Sequence, residues 1–188
     1  MTPPGTEEGT TKQPVSARLS VLTVGHSNCS LDSFIDLLKK HKVEVLVDVR
    51  SKPYSGYAAH FCRDVLAAEL PTASIKYLFL GHHLGGRPDA PGCYDAAGNV
   101  LYDVVEQQQS YKEGIERLLK GIGRYRVCLM CGEEDPIRCH RRLLVARSLL
   151  TRGVEVRHIR RDGSIESEAE VQARIASLEP QEKQLSLL

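Results

Sequence analysis

The sequence predicts an α/β fold: a mostly parallel, Rossmann-like five-stranded sheet covered by helices on both faces. Three observations carry that prediction. Short apolar runs alternate along the chain with stretches of helical periodicity, the pattern of βαβ units. Each run is apolar on nearly every residue, as in residues 43–49 and 126–130, so those strands are buried on both faces. Titratable and glycine residues come directly after the runs, and in parallel sheets ligands bind beyond the carboxyl ends of the strands.

Composition sets the frame. The chain has 188 residues, 41% hydrophobic and 26% charged, which suits one soluble domain with a substantial core. Residues 1–18 are polar, carry Pro3, Pro4, Gly5 and Gly9, and read as a disordered leader without a signal peptide. Residues 19–178 form the expected domain and 179–188 a flexible tail. The six cysteines are scattered without a secreted framework, so reduced thiols in a cytoplasmic protein are expected. No apolar run approaches the roughly 18 residues that crossing a membrane requires.

In order, residues 20–24 are the first strand, ending at Gly25-His26-Ser27. A helix comes next, with Ser30 as N-cap and Leu31, Phe34, Ile35 and Leu38 on one face. Residues 43–49 are the second strand, ending at Asp48 and Arg50; a helix over 58–70 is stopped by Pro71. Residues 75–80 are the third strand. They run into a long loop, 81–99, that carries His82, His83, Gly85, Gly86 and Arg87; a loop of that length is usually functional. A helix over 101–122 leads to the fourth strand, 126–130, which ends in Cys131. Asp135 and Pro136 then have the form of an N-cap and first helical residue, with the helix running to Gly153. Residues 154–159 are the fifth strand, Asp162-Gly163 a turn, and 166–178 a polar helix before Pro180.

The strand ends converge on one candidate site. Catalytic candidates are Cys139, Cys131, His140, Asp48 and His26; candidates for holding an anionic substrate are Ser27, Arg50, Gly85, Gly86, Arg87, Glu133, Arg138 and Arg141. A helix beginning at Pro136 would place Cys139 in its first turn, where unpaired N–H groups and neighbouring arginines favour a thiolate. Cys139 therefore ranks above Cys131 as the reactive thiol; His140 is one acid–base partner for it, although adjacent helix positions do not face one another, and a base from another strand end, His26 or Asp48, is favoured.

Gly25-His26-Ser27, Val47-Asp48-Val49-Arg50 with Pro53, Leu84-Gly85-Gly86, and Cys131-x-Glu133 with Pro136 and Cys139-His140-Arg141 together resemble the bacterial family known as domain of unknown function 488. The likeness covers roughly residues 22–163 and implies a three-layer α/β sandwich; it implies no reaction. Cys131, a loop and Arg138 are also similar to the phosphate-binding loops of rhodaneses and cysteine phosphatases. The spacing is one residue longer, however, and Glu133, Glu134 and Asp135 would repel a phosphate. Cys131, Cys139 and His140 offer soft metal ligands, but their spacing matches no standard zinc knuckle.

Eight arginines lie between residues 138 and 161 against one acid, Glu155, a stretch able to meet phosphates on a surface. The last five residues, Gln184, Leu185, Ser186, Leu187 and Leu188, resemble the peptide by which bacterial polymerases and repair proteins dock on the sliding clamp, with Leu188 in place of the usual Phe. The resulting expectation is an enzyme, a cysteine-dependent hydrolase or transferase, acting on nucleic acid or nucleotides in DNA maintenance; its cofactor stays open. The alternatives are a non-catalytic nucleotide- or DNA-binding module recruited by the clamp, or a Cys/His metal-binding protein.

Overall fold

The computed structural model describes residues 19–185 apart from Ser55 and Tyr57. The expected leader, residues 1–18, and residues 186–188 of the clamp-like peptide lie outside the described residues. Strands β1 (Ser20–Gly25), β2 (Val45–Asp48), β3 (Lys76–Phe79), β4 (Val127–Cys131) and β5 (Glu155–Ile159) form the expected parallel sheet. A sixth strand, β6 (Ile165–Ser167), extends it antiparallel to β5, giving the order β3-β2-β4-β1-β5-β6. The count of five missed β6 because three residues directly after a turn carry no periodicity of their own.

Alternation along the strands divides the core in two. Val45, Val47, Val127 and Leu129 face one side, under helices α4 (Tyr102–Gln107), α5 (Gln109–Ile122) and α6 (Arg147–Leu150). Leu22, Leu46, Cys128 and Met130 face the other, under α1 (Leu31–Lys40) and α2 (Arg63–Thr72). The molecule is thus a three-layer α/β sandwich. Helix α1 starts as its pattern dictates: the Ser30 Oγ accepts the Ser33 N–H at 3.2 Å, and Phe34 and Leu38 are buried. The expected second helix is a 3-10 turn (Ala59–Phe61) and then α2, which carries Pro71 within its last turn. The expected helix over 101–122 is broken at Gln108 into α4 and α5. The long loop contains the short α3 (Gly81–Leu84) and a 3-10 turn (Pro91–Cys93). Helix α7 (Glu168–Leu185) is longer than expected and takes in Gln184 and Leu185, so part of the expected tail is helical. Among the described residues no helix is long and apolar enough to cross a membrane.

Candidate active site

Strands β2, β4 and β1 lie side by side, and their carboxyl ends are stitched together by backbone hydrogen bonds. The N–H groups of Val49, His26 and Ser27 donate to the carbonyls of Met130, Cys131 and Gly132 at 3.1, 3.0 and 2.8 Å. Cys131 therefore leaves the middle strand at a fixed depth. The segment after it departs from the expected helix start. The Asp135 carboxylate accepts the Ile137 N–H at 2.9 Å and the Cys139 N–H donates to Pro136 at 3.2 Å, closing a turn. Helical bonding to Cys139 begins only with the Leu143 N–H at 3.0 Å. A π-helical stretch, Arg141–Ala146, then leads into α6. Asp-Pro satisfies a tight turn as readily as a helix cap, which is why the sequence pattern misleads here. Since Cys139 precedes the helix, its side chain and that of His140 converge: their ligand atoms and the Cys131 sulfur all lie within 4.8 Å of one another.

His140 is held in a defined orientation. Its Nδ1 is 3.5 Å from the Cys131 Sγ, and its Nε2 is 2.8 Å from the Val49 carbonyl oxygen. A carbonyl only accepts, so Nε2 carries a hydrogen, and in the neutral ring Nδ1 presents its lone pair to the thiol. Gly86 leaves room for the ring: a Cβ there would sit 2.5 Å from the His140 Cγ. The imidazole within reach of the Cys131 thiol is thus that of His140, the sequence neighbour of Cys139.

The surroundings pull the two thiols in opposite directions. A hydrogen bond from the Cys139 thiol, against opposing burial, with help from Arg141 and the N–H groups of Gly132 and Glu133, holds the Cys131 thiol down to about 7. The same hydrogen bond, together with burial, pushes Cys139 up to about 12. Cys139 is 2% exposed and Cys131 7%. Cys131 is thus the thiol drawn towards its charged form, and Cys139 the one held neutral.

These residues form the floor of a cleft of about 410 Å³ whose walls bring together Arg50, Lys52, Arg87, Arg138, Glu133 and Tyr102. Four cationic side chains face one carboxylate there, with Arg50 among them paired to Asp48 behind the wall. Gly86 lines it, and Gly85 packs behind its wall: a Cβ on Gly85 would come within 2.3 Å of the Ser51 Oγ, which itself accepts the Arg87 N–H at 2.9 Å. Lys52, Ser51 and Tyr102 were not singled out from the sequence. Lys52 lies two residues beyond Arg50 in a loop, and no periodic signal marked it.

Other candidates have structural roles. Asp48 is fully buried, and its carboxylate takes the Arg50 Nη2 and Nε at 2.7 and 2.9 Å and the Tyr77 hydroxyl at 2.7 Å. It orients Arg50 and has no path to a substrate proton. His26 stacks on Phe61 at 4.2 Å, and the Arg50 Nη1 donates to its Nε2 at 3.1 Å. Burial drives its pKa down to about 4, so His26 is a neutral brace for Arg50. Ser27, with a positive φ of 47°, lines a neighbouring hollow beside Cys29.

Arg141, expected to hold an anion, is completely buried. It donates to the carbonyls of Glu133 and Glu134, the latter at 2.6 Å, and to the Thr23 hydroxyl at 3.3 Å, and so fixes the loop after Cys131 from behind. The acidic turn is also disposed differently than its sequence suggests. Glu134 pairs with Arg160 at 2.9 Å and Asp135 with Arg174 at 2.6 Å, which leaves Glu133 as the turn's one carboxylate on the cleft. Half of the arginine-rich stretch is engaged in ion pairs. Arg142, Arg147, Arg157 and Arg160 are ion-paired with Glu168, Asp103, Glu155 and Glu134.

The model of the family described as Domain of unknown function DUF488 matches residues 30–148, a span that includes Cys131, Cys139 and His140. No curated protein and no solved structure matches the chain.

Proposed function

The chain belongs to the family of the Domain of unknown function DUF488, and we propose that it is a cysteine-dependent hydrolase or transferase acting on an anionic substrate, with Cys131 as nucleophile. The observation that carries this reading is the 3.5 Å approach of the Cys131 Sγ to a His140 Nδ1 whose other nitrogen is anchored on Val49, at the floor of a cationic cleft. A nucleophile, a base within reach and a third group orienting the base are the parts nucleophilic catalysis requires. The Cys131 proton passes to Nδ1, sulfur bonds to the electrophilic centre, and the leaving group departs with the proton that the imidazolium returns. Water or a second acceptor then attacks the covalent intermediate as His140 takes its proton, the bond to sulfur breaks, and Cys131 leaves and recovers the proton from the imidazolium. Arg87, Lys52 and Arg50 hold the substrate's charge, and a phosphoryl group is compatible because Glu134 and Asp135 turn away.

Nucleotides or nucleic acid are the substrate class we favour, supported by the cationic cleft and by the clamp-like residues 184–188. Removing those five residues tests recruitment separately: the expected outcome is lost co-purification with a bacterial sliding clamp, and unchanged co-purification refutes it. The nucleophile is tested with two alkylating reagents that differ in charge. Iodoacetate, an anion, should modify Cys131 faster than neutral iodoacetamide does, relative to their rates on a free thiol. Arg87→Ala and Lys52→Ala should each narrow that preference severalfold. Cys131 left unmodified at neutral pH while exposed cysteines react, or a preference indifferent to both substitutions, sinks the proposal.

A further inference from the structure

Apart from substrate chemistry, we propose that Cys131, Cys139 and His140 form a three-ligand site for a soft divalent cation, zinc in particular, with its fourth position open to the cleft. Two sulfurs and an imidazole nitrogen are the donors zinc prefers, and among the described residues no other group of three or more His, Cys, Asp or Glu side chains is disposed to hold a metal. The spacing is near what such a site needs. With Zn–S near 2.3 Å and Zn–N near 2.0–2.1 Å, sulfur and nitrogen neighbours on a tetrahedron lie about 3.6 Å apart and two sulfurs about 3.8 Å apart. The Cys131 Sγ and His140 Nδ1 are 3.5 Å apart, and all three donor atoms fall within 4.8 Å.

The second observation concerns the far side of the ring. A metal-bound histidine characteristically donates its other N–H to a carbonyl or carboxylate, which fixes the tautomer and strengthens the ligand. The 2.8 Å contact from Nε2 to the Val49 carbonyl does this, and leaves Nδ1 aimed at the sulfurs. The supports are rigid. Cys131 ends a fully buried central strand, Cys139 closes the turn before the helix, and Gly86 packs against the imidazole.

The cationic cleft does not oppose such a site. Two thiolates neutralise a divalent ion, so the filled trio carries no net charge beside Arg50 and Arg87. The surrounding cations then favour an anionic fourth ligand. All three residues line the cleft, so a water or anion reaches the ion from there. Zinc in this position ligates Cys131 and removes it as a nucleophile.

The test uses the full chain, stripped of metal by a chelator and then titrated with zinc against a chromogenic competitor and with cobalt. The expected result is one equivalent bound, a thiolate-to-cobalt charge-transfer band, and affinity at least tenfold weaker in Cys139→Ser and His140→Gln. Zinc should also slow alkylation of Cys131 by iodoacetamide at least tenfold, a readout on the unaltered protein that holds even if a variant fails to fold. Well under one equivalent bound, or zinc binding that leaves Cys131 alkylation untouched, overturns the site. The two readings fail separately: alkylation of Cys131 in metal-free protein reports the nucleophile, and the metal titration reports the site.

Discussion

Replacing Cys139 with alanine should disarm Cys131 without touching it. The Cys131 thiol is held at about 7 against an ordinary value of 9.0, and the largest cause is the hydrogen bond it receives from Cys139. At pH 7 about half of Cys131 should then be thiolate, compared with about 1% at the ordinary value, a difference of tens-fold in the reactive form. A hydrogen bond to a charged acceptor is worth about 1.5–3 kcal/mol. At 1.36 kcal/mol per unit, its loss should raise the Cys131 midpoint by roughly 1–2 units. The thiolate at pH 7 falls correspondingly, by about 5- to 50-fold. The assay is the rate of iodoacetamide labelling of Cys131 in chelator-treated protein between pH 5 and 10, read by peptide mass spectrometry. Because Cys131 is only 7% exposed, absolute rates will be low, but the midpoint of the profile is independent of access. Cys139→Ser keeps a donor and should shift the midpoint less. A wild-type midpoint at or above that of a free thiol, about 8.5, refutes the reasoning, as does a profile unmoved in Cys139→Ala.

Three further outcomes rest on the same contacts. Glu168 binds Arg142 at 2.8 Å and His158 at 3.1 Å; although burial works against it, these bonds bring its pKa to about 2 from 4.5. A depressed folded-state pKa stabilises above the unfolded value and is lost as pH falls through the folded one. Glu168→Gln should therefore cost about 3 kcal/mol near neutrality in urea unfolding, with the difference fading between about pH 4.5 and 2; a constant difference across that window contradicts the linkage. Asp48→Asn leaves the Arg50 guanidinium without its buried partner and should cost about 3–5 kcal/mol, whereas a side chain acting only as a catalytic base would leave unfolding unchanged. Gly86→Ala drives a methyl into the His140 ring, so a loss of about 1–3 kcal/mol and severalfold slower labelling of Cys131 at pH 7 are expected; normal labelling would show that the imidazole does not serve the thiol.

Legibility from the sequence divides along a physical line. Strand ends were readable because a fully buried parallel strand is an apolar run, and the sheet holds the residues directly after it in place. Cys131, His26, Asp48 and Arg50 were accordingly located together. Their roles were not readable, because role depends on which partner a charge meets, and the partners come from distant segments. Asp48 meets Arg50 from its own strand end but also Tyr77 from β3. Glu134 and Asp135, apparently a barrier to anions, are drawn off by Arg160 and Arg174, residues separated from them by 26 and 39 positions. Arg138 and Arg141 look equivalent in a run of basic residues, yet one reaches the cleft wall and the other is entirely buried. Arg141 explains why the loop can present Cys131 at all. Its guanidinium grips the carbonyls of Glu133 and Glu134 while its Nε rests on the Thr23 hydroxyl. Thr23 contacts the His158 Nδ1 at 2.8 Å, and His158 in turn contacts Glu168. Thr23, His158 and Glu168 lie on β1, β5 and α7, all outside the span matched by the family model. Of the arginines that suggested a nucleic-acid surface, Arg141 and Arg142 are thus buried. Their contribution to the site is to hold its loop still, so that one thiol is given hydrogen-bond donors while Glu134 and Asp135 stay off the cleft.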